Sequence, residues 1–273
     1  MTIFQALVLG LVQGLTEFLP ISSSAHLVLF PWLLGWPVSG LAFDVFLHAG
    51  TLGALLGYFF NDWVRLLRAG LAVILERRIG FDRDRQMAVY MVLASIPAAG
   101  LGMLLNDYAE THLRSPLLIA VFLAVLGFLL YWVDGRSTSL KNLDELNRGD
   151  AIMIGFAQAC ALFPGVSRSG ATITMGRYLG FSRDSAARFS FLLAIPITFG
   201  ALIFKADDVV RMAQSQSLSW GYLITGFMAS LLSGLAAIHF LLGYIRNADF
   251  RIFAWYRLVL AVCIILFSVF SGR

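Results

Sequence analysis

The chain has 273 residues, of which 59% are hydrophobic and 13% are charged, and its mean hydropathy is +0.81. Soluble domains carry about 25% charged residues, so this composition excludes an ordinary soluble protein and predicts an all-α integral membrane protein with a single polytopic domain. The net charge of +4 does not indicate nucleic-acid binding, because the basic residues lie in short loops between apolar runs.

Six apolar runs approach the length of about 20 residues that a helix needs to cross a bilayer. Between the first and the second, residues 62–76 are charged and amphipathic, and we expect them to lie at the membrane interface. Two further apolar stretches, 3–36 and 151–181, are each divided by a polar break, which predicts two re-entrant helical hairpins. The six predicted crossings are 41–60, 86–105, 116–133, 186–204, 219–243 and 252–271.

The two broken stretches resemble each other in sequence. Gly10 and Gln13 match Gly155 and Gln158, and a Phe-Leu-x-Ala run follows in both copies, at 46–49 and 191–194. Within the breaks, FLPxxS at 18–23 matches FPxxS at 163–167, with one residue fewer. We therefore expect two repeats, at about 1–105 and 150–245.

The distribution of basic residues predicts how the repeats are oriented. Fourteen Lys and Arg residues lie in 61–85, 134–150, 177–188 and 246–251, against four in 106–115, 205–218 and the C-terminus. The first set should be cytoplasmic, which places both chain ends outside. One hairpin then enters from each side, so the repeats have inverted topology and their polar breaks should meet near the midplane.

Each polar stretch supplies a different part of a candidate site. Free N–H groups at helix starts, hydroxyls and one guanidinium make an anion site that suits phosphate. A serine or histidine beside a carboxylate adds a potential nucleophile and base. The first stretch (14–26) supplies Glu17, one helical turn after Gln13, and then Ser22, Ser23, Ser24 and His26; the second (163–172) supplies Ser167, Arg168, Ser169 and Thr172.

Other polar residues of the apolar runs are expected to be structural. His48 and His239 are each a lone histidine in a predicted span. Arg257 follows Tyr256 in the last span, where it could pair with Asp44 or extend toward the interface, and a structural role is the favoured interpretation.

The sequences QGLTEFLPISSSAHL (13–27) and PGVSRSGAT (164–172) resemble the two signatures of the bacterial undecaprenyl-diphosphate phosphatases, which are linked to bacitracin resistance. The similarity extends through FLLAIP at 191–196 and FAWYR at 253–257. The resemblance implies removal of the terminal phosphate of C55 prenyl diphosphate, which regenerates the lipid carrier of peptidoglycan precursors. It also implies a divalent ion, Mg²⁺ or Ca²⁺, and a site in the bacterial inner membrane that opens to the periplasm. Expected partners are the polyprenyl diphosphate, membrane lipids and a possible homodimer.

The resemblance also implies residue roles. Glu17 lies at the metal or the nucleophile, and Ser23 and His26 supply nucleophile and base, with the assignment between them open. Ser167, Arg168 and Thr172 bind the diphosphate. The resemblance places the metal at Glu17 and Gln13. Many members have Glu where this chain has Gln13, and Gln13 cannot be a charged ligand. Ser22, Ser24 and Ser169 are further predicted phosphate contacts, which follow from the anion-site argument alone.

A transporter or flippase for a phosphorylated polyprenyl lipid is the rival hypothesis. Inverted repeats with broken helices are typical of transporters, and a fold does not fix a function. The candidate nucleophile and base favour the phosphatase.

Overall fold

The structure is a computed structural model that describes residues 1–36, 41–113, 115–138, 140–207 and 220–271. Three basic residues used to predict the orientation, Arg114, Arg211 and Arg273, lie outside these ranges. The regular structure of the described ranges is helical, which confirms the predicted all-α fold. The helices are α1 (Ile3–Phe18), α2 (Ser23–Leu34), α3 (Leu41–Tyr58), α4 (Phe60–Glu76), α5 (Arg83–His112), α6 (Pro116–Arg136), α7 (Arg148–Ala159), α8 (Arg168–Tyr178), α9 (Arg183–Phe204), α10 (Trp220–Tyr244) and α11 (Arg251–Ser271).

Five of the described helices are long and apolar enough to cross a membrane: α5, α6, α9, α10 and α11. A sixth span exists if α3 and α4 are counted together, but the chain bends by 87° between them. The protein is thus a multi-pass membrane protein, with five or six candidate spans in the part of the chain that the structure describes. The predicted span 86–105 ends where the apolar part of α5 ends, at Leu105, although the helix itself continues to His112. The helix of the predicted span 41–60 ends two residues earlier, at Tyr58.

Close packing between helices rests on glycines. A Cβ added to Gly10 on α1 would lie 2.5 Å from the Gly226 carbonyl oxygen of α10, and one added to Gly155 on α7 would lie 2.6 Å from the Ala94 carbonyl oxygen of α5. Small residues at such positions let two helix backbones approach. The two glycines that the sequence alignment pairs therefore have the same role in packing.

A buried ion cluster joins the ends of four helices. The Asp134 carboxylate of α6 accepts hydrogen bonds from Nε of Arg177 at 2.8 Å and Nε of Arg183 at 2.9 Å, and from the Phe250 N–H at 3.0 Å. Arg177 also donates to the carbonyls of Phe181 and Ser137. Because every charge has a partner, this cluster is a structural tie between α6, α8, α9 and the start of α11.

Candidate active site

Two interruptions of the helices lie at the centre of the molecule, and both have the same capping geometry. The first break (residues 19–22) contains Pro20, and the second break (residues 163–167) contains Pro164; proline cannot continue a regular helix. Ser22 caps α2 with φ 75°, and Ser167 caps α8 with φ 70°. Positive φ is uncommon for residues other than glycine and costs about 1–3 kcal/mol. Strained backbone of this kind is typical of functional sites.

The hydroxyl of each cap makes equivalent bonds. Ser22 Oγ accepts from the Ala25 N–H, and Ser167 Oγ accepts from the Gly170 N–H, in both cases three residues later. Each hydroxyl also contacts the hydroxyl two residues later, on Ser24 or Ser169, at 3.2 Å. These bonds hold the first turn of each helix.

The caps correct the alignment of the two breaks. The sequence comparison pairs Ser23 with Ser167, whereas the cap geometry pairs Ser22 with Ser167. Ser23 and Arg168 are consequently equivalent, each being the first residue of its helix. A candidate nucleophile in one copy stands where the other copy has a guanidinium.

Both of these first residues bond to the Glu17 carboxylate. Oε1 of Glu17 accepts from Nη2 of Arg168 at 2.7 Å, and Oε2 accepts from Oγ of Ser23 at 2.5 Å. Gln13 donates to Oε2 from one turn earlier on α1, at 3.1 Å. Glu17 is buried, and a buried carboxylate is stable when a guanidinium and several donors satisfy it. We call Gln13, Glu17, Ser23 and Arg168 the active-site cluster.

His48 also reaches this cluster. Its Nε2 lies 3.6 Å from Oε2 of Glu17, and its Nδ1 lies 2.7 Å from the Asp44 carbonyl oxygen. A carbonyl only accepts, so Nδ1 carries the hydrogen and Nε2 faces the carboxylate. The sequence interpretation treated His48 as structural and missed it. The alignment of 46–49 with 191–194 could have indicated His48, because the second copy has the apolar Leu193 where the first copy has a histidine.

His26 is not brought to the active-site cluster. Its Nδ1 lies 2.7 Å from the Ser22 carbonyl oxygen, and its Nε2 lies 2.7 Å from the Tyr256 hydroxyl, against whose ring it stacks. The carbonyl requires a hydrogen on Nδ1, which leaves Nε2 to accept from Tyr256. Both ring nitrogens are therefore occupied by partners other than Glu17 and Ser23.

The remaining predicted phosphate contacts fall into two groups. Ser169 donates to the Leu19 carbonyl at 3.1 Å and so joins α8 to the first break, whereas Thr172 Oγ1 lies 2.7 Å from Ser190 Oγ and joins α8 to α9; both hydroxyls are buried, and the Ser22 hydroxyl caps α2. Ser24 and Ser167 line the central cavity beside Arg168.

The central cavity has a volume of about 670 Å³. Glu17, Ser23, His48 and Arg168 form part of its wall. Most of the remaining lining is apolar, including Ala98, Ala99, Gly102, Ala161, Leu162 and Gly200. This arrangement suits an amphiphile with an anionic head and an apolar tail.

The residues of the active-site cluster do not fit a resident Mg²⁺ or Ca²⁺. Within the described ranges no three His, Cys, Asp or Glu side chains are grouped so that they could hold a metal ion. Both oxygens of Glu17 already accept hydrogen bonds, and Gln13 Oε1, which is buried without a partner, is a single neutral oxygen. Such ions take several oxygen ligands, which the active-site cluster does not supply.

Comparison with known proteins adds to this geometry. The family model described as "Bacitracin resistance protein BacA" matches residues 6–263. A protein of Pelotomaculum thermopropionicum named Undecaprenyl-diphosphatase is 48% identical over 268 residues, 98% of this chain and 97% of that protein. Proteins of the same name from Gemmatimonas aurantiaca and Aliivibrio salmonicida are 48% identical over 100% of both chains and 44% identical over 97% of this chain and 98% of the relative. The chain belongs to the bacitracin resistance protein BacA family.

Proposed function

We propose that this membrane protein is an undecaprenyl-diphosphatase, a hydrolase that removes the terminal phosphate of C55 prenyl diphosphate. The product, undecaprenyl phosphate, is the lipid carrier for cell-wall synthesis, and bacitracin resistance follows from its regeneration. One observation carries the proposal: Glu17 joins the Ser23 hydroxyl to the Arg168 guanidinium at the polar side of a mostly apolar cavity. A hydroxyl beside a base and a phosphate-binding guanidinium is suited to phosphoryl transfer.

The cavity gives each part of the substrate a place. The prenyl chain lies along the apolar wall, and the diphosphate lies against Arg168 and the N-terminal N–H groups of α2 and α8. Nη2 of Arg168 is bonded to Glu17 and Nη1 to the Ser190 carbonyl. A guanidinium has five N–H donors, so further donors remain for phosphate oxygens.

The reaction proceeds through Ser23 in two steps. Ser23 Oγ attacks the terminal phosphorus while Glu17 takes its proton; the bond to the bridging oxygen breaks, and undecaprenyl phosphate leaves with the electron pair. Water then attacks the phosphorus of the phosphoserine and the bond between phosphorus and Ser23 Oγ breaks; the protons of the water stay on the departing phosphate, and Oγ takes the electron pair and recovers its proton from Glu17. Positioning and charge stabilisation by Arg168 supply most of the catalysis. His26 is the less suitable nucleophile or base because both of its nitrogens are occupied.

The transporter hypothesis is the weaker one. The curated relatives carry the name of a phosphatase, and a carboxylate-bonded serine has no evident use in lipid flipping. Purified protein in detergent should release inorganic phosphate and undecaprenyl phosphate in equal amounts from the C55 diphosphate. Movement of the lipid between leaflets of proteoliposomes without phosphate release would overturn the proposal.

Two further parts of the proposal concern the membrane and assembly. The distribution of basic residues supports a periplasmic opening of the cavity, with the loop around Gly80 in the cytoplasm. A membrane-impermeant thiol reagent should label a cysteine placed at Gly80 only when it is added from the cytoplasmic side. A homodimer stays a prediction, which light scattering of the detergent-solubilised protein measures.

A further inference from the structure

Arg257, in the first third of α11, is completely buried and is bonded to both breaks. Its Nη1 donates to the Pro20 carbonyl of the first break at 3.1 Å. Its Nη2 donates to the Gly165 and Val166 carbonyls of the second break at 2.8 and 3.0 Å. Nε donates to the Leu123 carbonyl of α6 at 3.3 Å. One side chain therefore connects two breaks that are about 145 residues apart in the sequence.

The chemistry of the breaks explains why an arginine is placed here. Carbonyl groups at a helix break lose their intrahelical N–H partners, and inside a membrane no bulk water replaces them. A guanidinium offers five donors in a fixed plane, whereas an ammonium has three donors on a flexible stem. Lysine could not reach carbonyls of both breaks with the same geometry.

The neighbouring helices leave room for this side chain. A Cβ added to Gly170 of α8 would lie 2.8 Å from Arg257 Nη1, and one added to Gly127 of α6 would lie 3.1 Å from Arg257 Cβ. Within the described ranges no carboxylate forms an ion pair with Arg257, so its charge is buried without a counter-ion, which is costly. The hydrogen bonds to the carbonyls of the two breaks and of Leu123 must offset this cost.

The carbonyls that accept hydrogen bonds from Arg257 belong to residues close in sequence to the reactive groups. Pro20 lies between Glu17 and Ser23, three residues from each, and Val166 is two residues before Arg168. We propose that Arg257 is a positioning residue of the phosphatase site, which fixes the separation of the two breaks so that Glu17, Ser23 and Arg168 meet in one arrangement. The inference rests on the proposed function and deepens it.

The test compares R257K with the wild type on the C55 diphosphate. We expect kcat per folded protein to fall about 100-fold, the loss that a displacement of about 1 Å can cause, while KM changes much less. Folded protein is quantified by gel filtration and thermal unfolding in detergent. A residue with a merely structural role would lower the unfolding temperature and leave the kcat of the folded fraction unchanged.

R177K is the matched control. Arg177 is also a buried arginine that donates to backbone carbonyls, but its partners lie in the Asp134 cluster and not in the breaks. We expect R177K to unfold at a lower temperature with kcat per folded protein close to that of the wild type.

A double-mutant cycle adds a second readout. If Arg257 acts by positioning Arg168, R257K should cost much less in an R168K background than in the wild type, because the arrangement is already lost. Equal losses in both backgrounds would overturn the inference, as would a folded R257K protein with wild-type kcat.

Gly165→Ala is a second variant for the case in which R257K does not fold. The added Cβ would lie 2.7 Å from the Ile119 carbonyl oxygen and would displace one acceptor of Arg257 while the guanidinium remains. The Gly165→Ala variant must also have a lower kcat than the wild type, and a wild-type kcat would overturn the inference. Failure of the proposed function looks different, since the wild-type protein itself would then release no phosphate.

Discussion

Glu17 and Arg168 lie 151 residues apart in the sequence, yet Oε1 of the carboxylate and Nη2 of the guanidinium are 2.7 Å apart. This bond joins the end of α1, just before the first break, to the first residue of α8, just after the second break. Both side chains are largely buried, with 7% and 12% exposure. Removal of either partner leaves an uncompensated buried charge, so the pair must be tested by replacements that keep part of it.

Replacement of Arg168 by lysine should lower phosphate release from the C55 diphosphate by about 100-fold or more, because a point charge lacks the bidentate geometry of the guanidinium. Phosphate release by the purified variant in detergent measures the effect. R188K is the control, since Arg188 is a partly exposed arginine that pairs with Asp184 outside the cavity. Wild-type release by R168K would remove Arg168 from the proposed mechanism.

The nucleophile can be identified by comparing S23A with H26A. We expect S23A to lose about 10³-fold or more in kcat, the scale of a missing nucleophile or its base, because Ser23 Oγ is bonded to Glu17. H26A should lose much less, since its nitrogens bond Ser22 and Tyr256. Phosphorylation of His26, trapped by rapid quenching with radiolabelled substrate, would reverse the assignment.

His48 should contribute to the reaction through its position beside Glu17. We expect H48A to lower kcat by about tenfold, and H48Q to recover part of the loss, because the glutamine amide puts a polar group back at the place of ring Nε2 beside Glu17. H239A is the control, as His239 contacts the exposed Tyr58 hydroxyl away from the cavity. Equal kcat for H48A and the wild type would show that this histidine is structural.

The glycine contacts predict matched losses of stability. Alanine at Gly10 or Gly155 places a Cβ within 2.6 Å of a backbone carbonyl oxygen, and overpacking of this kind costs about 1–3 kcal/mol. Thermal unfolding in detergent should show a lower transition temperature for both variants. G100A is the control, because its Cβ would meet nothing within 4 Å; an equal loss there would refute the packing argument.

The family resemblance and the geometry of the site lead to different predictions about metal ions. The resemblance predicts that EDTA stops phosphate release and that Mg²⁺ or Ca²⁺ restores it. The geometry predicts that the substrate-free protein binds neither ion tightly, because the oxygens of Glu17 are engaged. Equilibrium dialysis of the free protein tests the second statement, and a retained stoichiometric ion would contradict it.

The sequence predicted most of the site because its polar residues are expensive in a membrane. Glu17, Ser23 and Arg168 stand out from apolar surroundings, and the structure brings them together. His26 stood out equally, but sequence spacing cannot show that its ring turns to Tyr256 and away from Glu17. His48 was missed because a lone histidine in an apolar run carries no motif, and its contact with Glu17 depends on packing between α1 and α3.

The fold was also predicted only in part. Apolar runs predicted the existence of the spans, with five or six found in the described ranges. The expected interfacial position of the charged residues 62–76 implies a turn away from the span 41–60, and the chain does bend by 87° between α3 and α4. The sequence did not predict that the bend falls at Phe59. Arg257 was assigned a structural role, but the carbonyls that it bonds come from breaks whose proximity only the folded chain determines.

The strained caps have a consequence for protein engineering. Glycine adopts positive φ without the strain that serine has there. Replacing a serine N-cap by glycine lowers the stability by only a few tenths of a kcal/mol. A library sorted for survival in detergent should therefore collect glycine at Ser22 and Ser167, whose φ angles are 75° and 70°. The same variants would lose the cap hydroxyls that hold the first turns of α2 and α8 in place. Selection for durability alone would thus enrich slower catalysts, and a useful screen must score turnover alongside it.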